Sequence, residues 1–297
     1  MEASLRSSIL DYRRENGCTY HRMSDGKYAF PNDDREQERL DIVNHVWMLT
    51  LEGNFCLCPK NNDGTARQVL DLGTGTGIWS IDFAEAHEKA EVLDVDLSPI
   101  QPEYVPPNCR FEIDDIEKEW AWNTRFDFIF CRDMNGSFSG YFEIQDSIWP
   151  PVCDDGTFSE DSALYKWIRL LVEASDKLGR PIDQTAQRPM MMQAIGFEDI
   201  RTTRVVFPVS PWPKDDRLRE LGKWNLYQLL PGLEALTLGL LTRALGWSKP
   251  EVLVLCAHVR RDLQDTNIHA YWNGHVMYGR KPLNAPRTRT IEIESAP

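Results

Sequence analysis

The sequence predicts an α/β fold built on a parallel sheet, and three observations predict it. Short apolar strands alternate with helical stretches through the middle of the chain, the pattern of βαβ units. One strand-to-helix turn is rich in glycine, Leu72-Gly73-Thr74-Gly75-Thr76-Gly77. An acid, Asp96, ends the next strand 23 residues after Gly73, where a carboxylate can accept both hydroxyls of a ribose.

The elements follow in chain order. Asp33 and Glu36 mark a helix start by their capping-box spacing, Leu40, Val43, Trp47 and Leu51 recur at helical period, and Gly53 stops the helix. Asn61-Asn62-Asp63-Gly64 reads as loop. Strands are expected at 68–73, 91–96, 110–113, 126–131 and 141–144, with a helix over 78–89. Beyond Trp149-Pro150-Pro151 the chain turns helical, with Leu164, Trp167, Ile168, Leu171 and Val172 on one face and Gly179 at its end. Residues 198–209 are β-rich, Ser248-Lys249-Pro250-Glu251 is a second capping box, and 270–278 reads as a last strand.

Composition bounds the function. The 297 residues carry a formal charge of −13, which argues against nucleic acid and against anionic membranes as partners. The first ten residues lack an apolar segment of signal-peptide type. The greasiest run, Leu233 to Trp247, is broken by Glu234 and Arg243, so it is not a membrane span. Seven scattered cysteines without a Cys-x-x-Cys pair read as reduced thiols in a cytoplasmic protein, with no disulfide framework and no zinc site. Histidines are dispersed, and no metal site is expected. Ten tryptophans read first as core packing and second as walls of an organic-ligand pocket.

The chemistry concentrates in Asp71 through Gly77. Glycines permit the tight turn and let a ligand approach the backbone. A nicotinamide dinucleotide site would place a pyrophosphate on the helix N-terminus. Here an acid, Asp71, stands inside the motif, which suits a cationic ligand and repels a pyrophosphate. S-adenosyl-L-methionine has that character, with its sulfonium, amino-acid end and ribose. Asp114 and Asp115 end the third of these strands, where a carboxylate can accept from an adenine amino group. The candidate cofactor residues are therefore Asp71, Gly73, Thr74, Gly75, Gly77, Asp96, Leu97, Asp114 and Asp115.

These residues resemble motifs I to III of class I S-adenosylmethionine-dependent methyltransferases. More narrowly, the chain resembles the fungal LaeA-like methyltransferase family, through Gly26-Lys27-Tyr28 with Pro31-Asn32-Asp33, Glu38-Arg39-Leu40-Asp41, Cys131-Arg132-Asp133-Met134, Gln145-Asp146 and Ala270-Tyr271-Trp272. The resemblance spans about residues 11 to 281 and implies a Rossmann-like sheet of seven strands. The expected organisation is one domain over 1–281, with an N-terminal helical flap (1–66), a cofactor-binding core (67–147), a helical cap with the last strands (148–281) and a disordered tail (282–297). The family includes enzymes that methylate small secondary metabolites, and nuclear regulators that act with velvet-type protein partners.

One departure stands out. Parallel neighbours need a crossover of about a dozen residues, yet only Met134 to Gly140 separate strands four and five. Seven extended residues reach roughly 23 Å, and the crossover helix is missing. Such a connection would leave part of one sheet face uncovered, or displace the fifth strand, and so weaken the fold and the activity.

Methyl transfer is an in-line displacement that gains from orientation and exclusion of water. A general base helps when the acceptor is a hydroxyl or a protonated amine. His21, His45, Asp133, Asp146 and His275 are the candidates, with Asp146 favoured because it follows strand five. Its plainer role is a turn or helix cap. Two functions result: transfer of a methyl group to O or N of a small metabolite, or a regulatory, degenerate methyltransferase-fold protein acting through partners.

Overall fold

The computed structural model describes residues 12–21, 29–62, 64–118, 120, 122–132 and 140–282. A short hairpin opens it, β1 (Arg13–Glu15) and β2 (Cys18–Tyr20), turning on Asn16 and Gly17, both at positive φ. Helix α1 (Asp34–Thr50) follows, capped by the Asp33 carboxylate, which accepts from the Glu36 N–H. Glu36 does not complete a capping box: it is 1% exposed and takes the Arg39 guanidinium through two contacts of 2.6 and 2.8 Å.

The central unit is β3 (Gln68–Leu72), α2 (Ile78–Ala86), β4 (Glu91–Asp96), β5 (Cys109–Ile113) and β6 (Phe128–Arg132). Then come β7 (Gly140–Val152), α3 (Ala163–Lys177), the seven-residue α4 (Arg188–Ala194), β8 (Glu198–Pro208), α5 (Asp216–Leu245), α6 (Lys249–Gln264) and β9 (Tyr271–Lys281). Among the described residues the main sheet has seven strands in the order β5-β4-β3-β6-β7-β9-β8, with β9 running antiparallel to the six others. The fold is Rossmann-like, as the sequence predicts.

Strand five differs from its expected four residues. It runs on through the cis Trp149–Pro150 bond to Val152, with a register shift after Ile148. The segment 133–139 between β6 and β7 lies outside the described residues, and with it candidate Asp133. The strand is not displaced, since Phe128 sits opposite Tyr141 and Arg132 opposite Gln145 in parallel register. Nor is the sheet face bare: Ile129, Cys131, Phe142 and Ile144 are each at most 3% exposed. Trp120 and Trp122 cover it from the segment after β5, and Met192 and Phe197 from α4 and the turn beyond.

The opposite face packs Val69, Phe128 and Phe130 against Trp79 and Phe83 of α2. Trp79 and Phe130 stack with centroids 3.7 Å apart. A third core joins α1, α3, α5 and α6 around Trp47, Trp167 and Leu233, and reaches β9 at Trp272 and Val276. Four of the tryptophans, 47, 79, 167 and 272, are thus core residues at 5% exposure or less. Among the described residues no helix is long and apolar enough to cross a membrane.

Candidate cofactor and substrate site

Strand order places the site. The chain builds β3, β4 and β5 outward in one direction, then returns to lay β6 on the other side of β3. Ligands of open α/β sheets bind at the carboxyl ends of the strands beside such a reversal. The glycine loop leaves the sheet there, with Gly73, Gly75 and Gly77 at φ of 69°, 60° and 80°. Gly73 and Thr74 both donate their N–H groups to the Val95 carbonyl, which ties the loop to β4.

Asp96 ends β4 as expected. One carboxylate oxygen accepts from the Gly75 N–H at 2.9 Å and the other from the Ser98 N–H at 2.8 Å. Burial pushes its carboxyl up to about 6, against the pull of these two amides. Leu97 follows, half-buried, in the same turn. Asp114 is half-buried beyond β5; its N–H reaches the Asp96 carbonyl and its carboxylate takes the Asp115 N–H at 2.8 Å. Asp115 itself is 3% exposed and caps the following turn through the Glu117 N–H.

Asp71 requires a correction. The sequence has it facing the ligand, but it is 3% exposed and lies under the loop, accepting from Ser80 Oγ of α2 at 2.9 Å. There it ties β3 to α2 beneath the glycine loop. Beside it in register lies Asp94, which the sequence reading passed over, fully buried and in contact with Cys109 Sγ at 3.1 Å. Burial holds Asp71 up to about 6, and burial followed by repulsion from Asp71 holds Asp94 up to about 8.

The N-terminal flap closes on this cradle. Thr76 Oγ1 donates to Asp41 of α1 at 2.6 Å, and Asn32 Nδ2 to Ser98 Oγ at 3.4 Å. A groove of about 560 Å³ runs beside it between Tyr12, Thr19, Gln37, Pro99 and Gln101. At the end of β6, Arg132 gives Nη1 to Asn44 of α1 at 2.8 Å and Nε and Nη2 to Gln145 of β7, and lies over the Trp47 ring at 5.5 Å. This wall joins residues 88 and 13 apart, a distance that no local pattern bridges. Arg132 stood in the sequence only as part of a family resemblance.

Asp146 also sits differently from expectation. It lies inside β7, opposite His275, and forms an ion pair with Arg188 of α4 while accepting from Thr185 Oγ1 at 3.3 Å. Of the other candidate bases, His21 is buried, and His45 is exposed with its ring edge-on to Trp224 at 4.5 Å. His275 is half-buried, its pKa lowered first by burial and then by Arg204. The expectation that metal-ligating side chains stay dispersed is corrected, among the described residues, where Cys56, Cys58 and Glu143 come together, all buried.

The cradle's chemistry fits S-adenosyl-L-methionine. Asp96 and Asp114 offer acceptors suited to ribose hydroxyls and an adenine amino group. The loop from 71 to 80 carries no basic side chain for a pyrophosphate. Gly75 holds a φ of +60°, a conformation that other residues adopt only with strain, and Leu40 of the flap lies against it.

A family model described as a methyltransferase domain matches residues 36–144. The chain is 38% identical over 296 residues to methyltransferase pytC of Aspergillus terreus, covering 94% of this chain and 91% of pytC. It is 36% identical over 289 residues to the secondary metabolism regulator LAE1 of Cochliobolus heterostrophus, covering 90% and 94%. Among solved structures it is similar to phosphoethanolamine N-methyltransferase 2 of Haemonchus contortus in complex with S-adenosyl-L-methionine. There the TM-score is 0.45, with 15% identity over 95% of this chain and 74% of the other.

Proposed function

This chain belongs to the LaeA-like methyltransferases of fungal secondary metabolism, and from that premise we propose that it methylates an oxygen or nitrogen atom of a small secondary metabolite. The observation that carries the reading is Asp96 bound to the Gly75 N–H at the strand-order reversal. S-adenosyl-L-methionine, the methyl donor, supplies when bound an electrophilic methyl group on a sulfonium.

The protein's own part is binding, orientation and exclusion of water. Gly73, Thr74, Gly75, Gly77, Asp96, Leu97 and Asp114 would hold the donor, with Asp71 and Asp115 bracing the turns from beneath. The Asp41–Thr76 and Asn32–Ser98 contacts draw the flap over the site. Arg132, Asn44, Gln145 and Trp47 form a largely buried polar and aromatic cluster at the carboxyl end of β6 that ties α1 to β7 beside the site. Asp146, paired with Arg188, acts as an anchor of α4 on β7.

The test is a titration of S-adenosyl-L-methionine into the chain and its Asp96→Ala variant, followed by a panel of hydroxyl and amine acceptors read by mass. Tight binding by the wild type, weaker binding by the variant and a methyl mass gain support the reading. Equal binding by both overturns the site.

A second reading is favoured by the identity to LAE1 over nearly its whole length: a regulatory protein acting through velvet-type partners. It is distinguished by a stable partner complex that Asp96→Ala leaves intact.

A further inference from the structure

We propose that Cys56, Cys58 and Glu143 bind one thiophilic divalent cation of the zinc type. Their three ligand atoms lie within 4.8 Å of one another. The two cysteines are 1% and 2% exposed and Glu143 is 0% exposed.

The spacing fits a metal better than a bond between the sulfurs. Cys58 Sγ is 3.6 Å from Cys56 Sγ. Two thiolates at about 2.3 Å from a tetrahedral zinc stand about 3.8 Å apart, whereas a disulfide needs about 2.05 Å. Three protein ligands leave one position of the tetrahedron for a water.

The ligands are held before any ion arrives. Asn61 Oδ1 accepts from the Phe55 and Cys56 N–H groups, which shapes the loop. The Glu143 carboxylate takes the Leu57 and Cys58 N–H groups at 2.8 and 2.7 Å, so it is fixed to the same loop that bears the thiols. Gln145 Nε2 orients that carboxylate at 3.0 Å, the role of an outer-shell partner. The Leu57 N–H is shared between both carboxylate oxygens, at 3.0 and 2.8 Å, and a cation would take the place of its longer contact.

The two thiols are hydrogen-bonded, Cys58 Sγ to Cys56 Sγ and Cys56 Sγ to the Cys58 carbonyl, and a divalent cation would take the place of their protons. Two thiol protons pass to solvent, two sulfur–metal bonds and one oxygen–metal bond form, and no oxidant is needed. Sulfur ligands with one carboxylate select zinc over magnesium or calcium. The sequence concealed the set, because the spacing is Cys-x-Cys and the third ligand lies 85 residues on.

The role is to clip the 55–61 loop to β7. Phe55 O also accepts from Gln145 Nε2 and from Trp79 Nε1, both at 3.0 Å. The clip therefore steadies the residue that holds Arg132.

The test uses the full chain, expressed with zinc and freed of excess, with metal content measured by plasma mass spectrometry. Cobalt is then exchanged in to read the thiolate-to-cobalt charge-transfer band. One equivalent of zinc and a charge-transfer band are expected. Both are lost in Cys56→Ser and Cys58→Ser, weakened in Glu143→Gln and kept in Cys153→Ser. If the cysteine variants do not fold, the wild-type stoichiometry, the band and a fall in Tm on chelation carry the result. Folded wild type without bound metal and without the band overturns the proposal. So does a Cys56–Cys58 disulfide found by mass in the protein as purified with zinc.

Discussion

The Asp96 carboxylate and the Gly75 N–H, 21 residues apart, meet at 2.9 Å. The acid that would accept a ribose also sets the shape of the loop that would lie under it, and its second oxygen holds the Ser98 N–H. Binding and loop geometry are therefore lost together. Charge-assisted hydrogen bonds contribute about 1.5–3 kcal/mol, so Asp96→Ala is expected to weaken S-adenosyl-L-methionine binding about 10- to 100-fold. Isothermal titration checks this, and Asp96→Asn should fall between the two.

Gly77 is constrained twice. Its φ is +80°, and an added Cβ would stand 2.5 Å from Phe111 Cζ of β5. Gly77→Ala is expected to destabilise the chain by about 1–3 kcal/mol, read by urea denaturation. Adding Phe111→Leu should return part of the loss, since it removes the clash but not the strain of the positive φ.

Asp94 sets a pH dependence. Its folded carboxyl is held up to about 8, against an ordinary value of 3.8, by burial and then by Asp71. Between those values the folded chain keeps a proton that the unfolded chain has lost, so stability falls as pH rises through this window. Asp71 and Asp96, both up at about 6, act with the same sign over the lower part. Thermal melts are expected to show Tm falling by several degrees from about pH 5 to about pH 9. Asp94→Asn should flatten the profile.

Asp146 is expected to answer as an anchor. Its ion pair with Arg188 is buried, the two side chains being 11% and 12% exposed. Removing one partner of a buried pair costs about 3–5 kcal/mol. Asp146→Asn should lower Tm, with methyl transfer lost only in proportion to unfolding. A variant with unchanged Tm and a depressed kcat would instead make Asp146 the general base.

The glycine loop, the Asp96 strand end and the helix caps were legible because their signals are local. Each depends on residues a few positions apart, or on one βα step. The β1–β2 hairpin was also within reach: Asn16-Gly17 between short strands is a strong hairpin signal, passed over because the strands hold three residues each. The burial of Asp71 depends on its register, and the register needs the neighbouring strands. The Arg132 wall and the Cys56, Cys58 and Glu143 cluster lay beyond reach because they join elements far apart in the chain. Helix α5 falls in the expected helical cap, but its bounds were obscured by its own contents. Pro231 stands inside it, and Gly232 and Gly239 would, with a Cβ, strike Arg39 and the Ala29 carbonyl. Those glycines serve close packing and dilute the helical signal.

Strand β9 lies between β7 and β8, so β8 meets the main sheet only through the strand made last. During synthesis β8 emerges with its ladder partner still unmade, separated by the whole of α5 and α6. Those helices can pair locally at once, while β8 must wait with open edges, the condition in which a nascent chain is most exposed to wrong partners. Completion of the sheet waits on Tyr271 to Lys281, and a chain stopped before Tyr271 would carry the whole cofactor loop yet leave β8 without its ladder partner.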